Sequence, residues 1–234
     1  MSRGAEIAAG LAAVDERVQR ACAAAGRSRA EVTVVVVTKT FPVADIRLLA
    51  ELGIRDIGEN RDQEAAPKAA DCADLGLTWH FVGQLQTNKA RSVARYASAV
   101  HSVDRPRLVD ALAAAAAAND PLVGCLVKVS VDDDRQRRVG RGGVSADQVM
   151  DLADRIAARS RLQLLGVMAV APLDADPAVA FDRLAGVAAA VRIRHPGATW
   201  ISAGMSEDLE AAIAAGATHL RVGSAILGRR ATAG

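Results

Sequence analysis

The stretch Val32-Thr33-Val34-Val35-Val36-Val37-Thr38-Lys39 consists of β-branched residues up to its final lysine. β-Branched side chains favour the extended conformation, so the stretch predicts a β-strand. The apolar run is uninterrupted, whereas a strand with one face in water would alternate apolar and polar residues. We therefore expect this strand to be covered on both faces, as in a parallel sheet flanked by helices.

Strand-like and helix-like segments alternate on both sides of this stretch. Before it, Ile7, Leu11, Val14 and Val18 recur at helical spacing and predict an N-terminal helix with one apolar stripe. After it, further strands are predicted at Asp56–Asn60, Thr78–Gly83, Ala99–Asp104, Leu122–Val131, Leu162–Ala171, Ala198–Gly204 and His219–Leu227. The helices predicted between strands are Val43–Leu52, Arg61–Ala70, Asn88–Tyr96, Pro106–Ala118, Ala146–Ala158, Pro177–Arg194 and Glu207–Ala215.

Residues at the predicted helix ends fit this division. Asn60 and Ser145 each precede a glutamine at capping-box spacing, and Ser206 precedes two acidic residues. Gly53 and Gly216 stand where helices should end, since glycine accepts the left-handed conformation common after a helix. These residues predict helix boundaries independently of the apolar pattern.

Strict alternation of strands and helices demands a parallel sheet with right-handed crossovers. Eight strands in 234 residues match a closed (β/α)8 barrel of the TIM type, here with an extra N-terminal helix. The main alternative is a doubly wound open sheet, which usually carries a glycine-rich loop after its first strand. This chain has Lys39-Thr40-Phe41-Pro42 there, so we predict a single α/β barrel domain over residues 1–234.

Composition excludes several classes of function. A net charge of +2 and 3% aromatic residues argue against nucleic-acid binding. Cys22, Cys72 and Cys125 are odd in number and lack metal-ligand spacing, as do the four histidines, so we expect buried thiols in a reducing compartment and no metal site. Neither a signal peptide nor an apolar run of about 18 residues is present, which predicts a cytoplasmic protein without membrane contact.

Chemistry in such barrels lies at the carboxyl ends of the strands, and Lys39 closes the first of them. Burial at this position would lower a lysine pKa and favour the neutral amine that attacks carbonyl groups. A lysine that only extends from the strand end into water explains the position equally well. A phosphate site across the barrel mouth would favour the chemical role.

The last two strands supply a candidate phosphate site. Met205 and Ser206 follow one strand and open a helix, while Gly223 and Ser224 end the next. Backbone amides and hydroxyls there can bind an anion, and barrels of this type often bind phosphate after strands seven and eight. Taken singly, Ser206 is explained as a helix cap and Gly223 as a tight strand exit. Their pairing favours the anion site, with the acidic residues after Ser206 facing away.

Three further residues are candidates with alternatives. Arg221 lies two residues before Gly223 and shares its face, so it needs an acceptor, either a ligand's ring nitrogen or an internal carboxylate. Asn60 either flanks the lysine or caps the next helix. His80 is interpreted as a satisfied core histidine. The turn Gln84–Lys89 and the charged segment Asp132–Arg141 receive no functional role.

The order of seven short motifs resembles one known family. They are Thr38-Lys39-Thr40-Phe41-Pro42, Gly58-Glu59-Asn60, Trp79-His80-Phe81-Val82-Gly83, Gln86-Thr87-Asn88-Lys89, Gly166-Val167-Met168-Ala169, Gly204-Met205-Ser206 and Arg221-Val222-Gly223-Ser224. The chain is similar to the pyridoxal phosphate homeostasis protein family (the YggS/PROSC group), whose fold is similar to the barrel domain of alanine racemase. Departures are Thr38 where serine is common, Leu227 where phenylalanine is common, and Arg138 where lysine is frequent.

The resemblance implies roles for the candidate residues. Lys39 is expected to hold pyridoxal 5'-phosphate as a Schiff base, Arg221 to approach the pyridine nitrogen and Asn60 to lie near the ring. The residues expected around the phosphate are Met205, Ser206, Gly223 and Ser224. Members of the family are regarded as carriers or regulators of the cofactor, so apo-enzymes that need it are the expected partners, and we expect a monomer.

Two other functions are compatible with the same lysine. An amino-acid racemase of the alanine racemase type needs a second acid/base on the opposite face of the ring. In alanine racemase that group is a tyrosine from another domain, whereas the sole tyrosine here, Tyr96, falls late in a predicted helix. A Schiff-base aldolase acting on a sugar phosphate would also use Lys39 and a phosphate site. The missing second base and the ordered motifs favour the carrier.

Overall fold

Eight parallel strands close into a barrel in the computed structural model, which describes residues 1–116, 122–132, 142–172 and 175–228. The strands follow one another in chain order around the barrel, and the eighth pairs with the first. They are β1 Thr33–Val37, β2 Asp56–Glu59, β3 Thr78–Phe81, β4 Ala99–Val103, β5 Val123–Lys128, β6 Leu162–Met168, β7 Trp200–Ser202 and β8 His219–Val222. The predicted barrel is confirmed over the open sheet.

Helices surround the barrel and connect its strands. They are α1 Arg3–Ala24, α2 Val43–Glu51, α3 Asp62–Asp71, α4 Ala90–Val93, α5 Pro106–Ala116, α6 Ala146–Ala157, α7 Pro177–Arg194, α8 Leu209–Ala214 and α9 Ser224–Leu227. Single turns of 3₁₀ helix cover Arg29–Glu31, Ala73–Leu75 and Thr87–Lys89. In the described part of the chain, no helix combines the length and the apolar character needed to cross a membrane.

Burial explains why the valine run forms the first strand. Val35 and Val36 point to opposite sides of β1, yet both have no exposed surface. One faces the barrel interior and the other the layer of helices, as expected for a strand covered on both faces. On α1, the predicted apolar stripe is buried at Ile7, Val14 and Val18.

Several predicted boundaries were wrong near the barrel mouth. The last strand was predicted to reach Leu227, but it ends at Val222 and Gly223 turns the chain into α9. The fifth strand ends at Lys128, three residues before its predicted end. Apolar residues continue beyond both ends, so hydrophobicity alone does not mark where the ladder stops.

Helix α8 begins at Leu209 with Asp208 at its N-cap, which leaves Ser206 in the preceding turn. The helix predicted over Asn88–Tyr96 is only a 3₁₀ turn followed by the four residues of α4. The predicted helix Pro106–Ala118 extends at least to Ala116, and its last two residues lie outside the described ranges. Nearly all of the segment Asp132–Arg141, including Arg138, lies outside them as well.

The predicted helix caps are confirmed at the glycines and wrong at Asn60. Gly53 and Gly216 have φ angles of 88° and 93°, so both use the left-handed conformation after a helix. The N-cap of α3 is Arg61, without a side-chain cap, so Asn60 does not cap the helix. Ser145 is the N-cap of α6, but its hydroxyl bonds a side chain and caps no backbone N–H.

Candidate functional site

Lys39 lies in a tight turn just beyond β1. The N–H of Phe41 donates to the carbonyl oxygen of Thr38 over 3.1 Å, which closes the turn around Lys39 and Thr40. Thr40 has a φ of 69°, the only positive value for a non-glycine residue in the described ranges, and its N–H donates to Glu64 Oε2 over 2.9 Å. The Lys39 side chain is exposed, so the burial expected to activate it is not found.

A buried ion pair anchors the residue before Lys39. Lys68 Nζ donates to Glu59 Oε1 over 2.7 Å and to the carbonyl oxygen of Thr38 over 2.9 Å. The Thr38 hydroxyl donates to the same Glu59 oxygen over 2.6 Å. Thr38 and Glu59 have no exposed surface. These bonds fix the position of Thr38, and therefore of the start of the Lys39 turn.

Two serines meet at the carboxyl ends of the last two strands. Ser206 Oγ and Ser224 Oγ lie 3.3 Å apart, and the N–H of Ala225 donates to Ser206 Oγ over 3.4 Å. Gly204 precedes this turn with a φ of 87°, and a Cβ there would lie 2.6 Å from Cβ of Ala212. The close approach of α8 therefore requires glycine at residue 204, two residues before Ser206.

Gly223 brings this serine pair against the end of the first strand. A Cβ at Gly223 would lie 2.9 Å from the carbonyl oxygen of Val37, two residues before Lys39. In the described part of the chain, no hydrogen bond joins the main-chain N–H of Ser206 or Gly223 to another group. Two hydroxyls and two N–H donors are thus available to an anion beside the Lys39 turn.

Arg221 is buried in the barrel without a carboxylate partner among the described residues. Its Nη1 donates to Ser202 Oγ over 2.7 Å and its Nη2 to the carbonyl oxygen of Ala169 over 2.8 Å. Burial lowers the pKa of the guanidinium to about 10, and the charge of Asp208 opposes this shift. The internal ion pair considered for Arg221 is therefore not found among the described residues, and Asp208 acts on the guanidinium electrostatically.

Asn60 and Met205 border the site, and among the described residues neither forms a hydrogen bond with Lys39 or Arg221. Asn60 packs against Gly83, where an added Cβ would lie 2.6 Å from Asn60 Oδ1. It lines a hollow of about 900 Å³ at the ends of β2 to β4, together with Gln84 and Lys89 from the turn that received no role. Met205 is 37% exposed, and its main-chain N–H donates to Asp208 Oδ1 over 2.6 Å.

Sequence reasoning missed Lys128 at the barrel mouth. Lys128 Nζ and Asp104 Oδ2 both approach Gly142, at 3.5 and 3.0 Å from the position of an added Cβ. Burial and the charge of Arg221 lower the pKa of Lys128, while Asp104 raises it. The sequence signal for Lys128 is a charged residue at a strand end. The predicted fifth strand runs on to Val131, so Lys128 falls inside it and not at its end.

Comparisons with known proteins agree with this fold. The family described as alanine racemase, N-terminal domain, matches residues 10–231. A pyridoxal phosphate homeostasis protein of Mycobacterium tuberculosis is 42% identical, with 97% of this chain and 94% of the relative covered. The Escherichia coli protein of that name is 35% identical, with 96% and 97% covered.

Solved structures give the same result. PipY of Synechococcus elongatus, whose structure has PLP bound, superposes with a TM-score of 0.78 and 31% identity over 90% of this chain and 99% of PipY. The likeness therefore extends over almost the full length of both chains. The chain belongs to the pyridoxal phosphate homeostasis protein family, whose barrel is that of the alanine racemase N-terminal domain.

Proposed function

We propose that this protein binds pyridoxal 5'-phosphate as a Schiff base on Lys39 and acts in the cytoplasm as a carrier or regulator of the cofactor. The names of the relatives and the PLP-bound structure of PipY support the choice of ligand. The cofactor supplies a reactive aldehyde, and in enzymes its ring withdraws electrons from bound substrates. The residues of this chain have to bind and orient it.

The observation that carries the proposal is the buried guanidinium of Arg221. Arginine has five N–H donors, and Ser202 and the carbonyl oxygen of Ala169 accept two hydrogen bonds from it. A buried donor without an acceptor is costly, and a pyridine nitrogen is a neutral acceptor. The ring nitrogen of the cofactor therefore suits Arg221.

The other residues fit the remaining groups of the cofactor. Ser206 and Ser224 offer hydroxyls to the phosphate, and the N–H groups of Ser206 and Gly223 add two donors. Gly223 lets this cradle approach β1, so the phosphate would lie beside the turn that carries Lys39. Met205 borders the phosphate and Asn60 the ring in the same proposal.

The placement of Tyr96 supports a carrier over a racemase. Its ring packs edge-on against Trp79, and its hydroxyl lies 3.5 Å from Asp62 Oδ1. Trp79 neighbours His80 in β3, and His80 points into the barrel, so Trp79 and the ring against it lie on the outer side. The sole tyrosine of the chain is therefore not placed to serve as a second base inside the barrel.

Covalent trapping tests the proposed cofactor site. We expect protein incubated with PLP to absorb near about 420 nm, a property of the cofactor class, and borohydride to fix the adduct on Lys39 in peptide maps. Lys39→Ala should lose both signals, while Lys89→Ala, which removes a lysine from the same end of the barrel, should keep them. A wild-type protein that takes up no PLP would contradict the proposal.

Two assays separate the carrier from the racemase. With L-alanine, the loaded protein should racemise no faster than free PLP, as measured by chiral chromatography. With an apo-enzyme that requires PLP, it should deliver cofactor in the presence of a trap for the free aldehyde. Racemisation above the rate of free PLP would favour the enzyme.

Light scattering during these assays should show a monomer.

A further inference from the structure

A continuous chain of four hydrogen bonds crosses the barrel interior. Asp56 Oδ1 lies 2.9 Å from His80 Nε2, and His80 Nδ1 lies 2.9 Å from His101 Nε2. His101 Nδ1 lies 2.8 Å from Ser202 Oγ, which in turn accepts the 2.7 Å bond from Arg221 Nη1. Five side chains from five strands thus form one path.

The path connects the two ends of the barrel. Asp56 is the first residue of β2, and its side chain is 31% exposed at the end of the barrel opposite the Lys39 turn. His80, His101 and Ser202 are at most 1% exposed. Interiors of such barrels are usually filled with branched apolar residues, and a buried polar network is costly unless every member is satisfied. This cost argues that the path does more than fill space.

With both histidines neutral, the chemistry of the two ends fixes the direction of every hydrogen bond. Arginine can only donate, so Ser202 Oγ accepts from Arg221 and its hydroxyl hydrogen is free to go to His101 Nδ1. A carboxylate can only accept, so His80 Nε2 carries the hydrogen that faces Asp56. His80 Nδ1 is then an acceptor for the hydrogen on His101 Nε2. All four bonds therefore donate in one sense, from Arg221 towards Asp56.

This order requires both histidines to be neutral. The groups facing them are Asp56 from β2, Arg221 and His219 from β8, and the ring of Trp200, which stacks near His80. Burial lowers the pKa of His101 well below 6.5, and the charges of His80, Arg221 and His219 act in the same direction. His101 is thus expected to be neutral at physiological pH.

We propose that Asp56, His80, His101 and Ser202 are positioning residues, which hold the guanidinium of Arg221 in one orientation through this ordered path. The inference rests on the proposed function, because Arg221 is oriented there towards the ring nitrogen of the cofactor. A substitution of Asp56 at one end of the barrel should therefore alter the orientation of Arg221 at the cofactor site, near the other end.

Ring-nitrogen NMR of the apo-protein tests the order directly. With ¹⁵N-labelled histidine at pH 7.5, His80 and His101 should each carry a hydrogen on Nε2 and none on Nδ1. This measurement needs no cofactor, so it tests the hydrogen-bond order whether or not the protein binds PLP. Hydrogens on Nδ1 of both rings would overturn the proposal.

Ser202→Ala tests whether the path positions Arg221. It removes the acceptor of Nη1, so the Nε2–H signal of His101 should shift and the Kd for PLP should rise about tenfold, the usual effect of one hydrogen bond to a charged group. The absorption maximum of the loaded protein should move while borohydride still fixes PLP on Lys39. Ser202→Thr keeps the hydroxyl and should restore the wild-type spectrum.

Ser102→Ala is the matched control. Ser102 is buried on β4 next to His101, and its hydroxyl has no hydrogen-bond partner in the described ranges. It should leave the His101 signal, the Kd and the spectrum unchanged. Equal spectra and affinities for both alanine variants would overturn the positioning role. Failure of wild-type protein to form the Lys39 adduct would instead contradict the proposed function alone.

Discussion

Lys68 Nζ donates a 2.9 Å hydrogen bond to the carbonyl oxygen of Thr38, the residue directly before Lys39. Lys68 belongs to α3 and is paired with Glu59 of β2, so helix, strand and turn are joined by one buried charge. The attraction within a buried ion pair often does not exceed the cost of removing both charges from water. Removing one partner, however, leaves an uncompensated buried charge. The pair therefore fixes the geometry of the turn more than it adds net stability.

Breaking this pair should destabilise the protein and the Lys39 turn together. Lys68→Met leaves Glu59 buried without its cation, and we expect a loss of about 3 kcal/mol in the free energy of unfolding by urea. Arg47→Met removes an exposed pair with Asp74, so its cost should stay below about 1 kcal/mol. Borohydride trapping of PLP should slow in the Lys68 variant only. Similar unfolding curves for the two variants would contradict the anchoring role.

Thr40 carries the strain of the Lys39 turn, because a β-branched residue with positive φ costs about 1–2 kcal/mol. Thr40→Asn should recover part of this, since asparagine tolerates the left-handed region, and raise stability by about 0.5–1 kcal/mol. Thr40→Ala loses the same side chain but keeps an unfavourable residue there, and serves as the control. The prediction fails if thermal unfolding places the asparagine variant at or below the alanine variant.

The fold could be predicted from the sequence because the apolar periods and the glycines after α2 and α8 depend on local residues. The contacts inside the barrel could not. His80 was recognised as a satisfied core residue, but its partners Asp56 and His101 lie 24 and 21 positions away and meet it only through strand register. Lys128 was missed because the apolar run after it hides the strand end.

Gly223 should tolerate no side chain. The Cβ of Gly223→Ala would lie 2.9 Å from the main-chain oxygen of Val37, so either β1 or the serine pair must move. We expect the Kd for PLP to rise more than about tenfold, since small displacements of positioning groups are costly. Gly186→Ala is the control, because a Cβ on that exposed residue of α7 meets nothing within 4 Å. It should keep the wild-type Kd and gain about 0.5–1 kcal/mol in stability.

His219 should make the protein less stable as pH falls from about 6.5 towards 4. Burial and the charge of His80 lower its pKa from 6.5 to about 4, with Asp56 opposing. Between these values the unfolded chain takes up a proton at His219 and the folded one does not, so acid favours unfolding. The two pKa values give a loss of about 2 kcal/mol between pH 7.5 and pH 5.

Urea unfolding of wild-type protein and His219→Asn at both pH values measures this loss. The ring of His219 stacks on Trp200 at 3.8 Å, so the variant should be less stable at pH 7.5, yet lose about 2 kcal/mol less on acidification. His101 keeps its own lowered pKa in both proteins, so some acid sensitivity remains. An equal loss in wild type and His219→Asn would show that His219 is already protonated in the folded protein at pH 5.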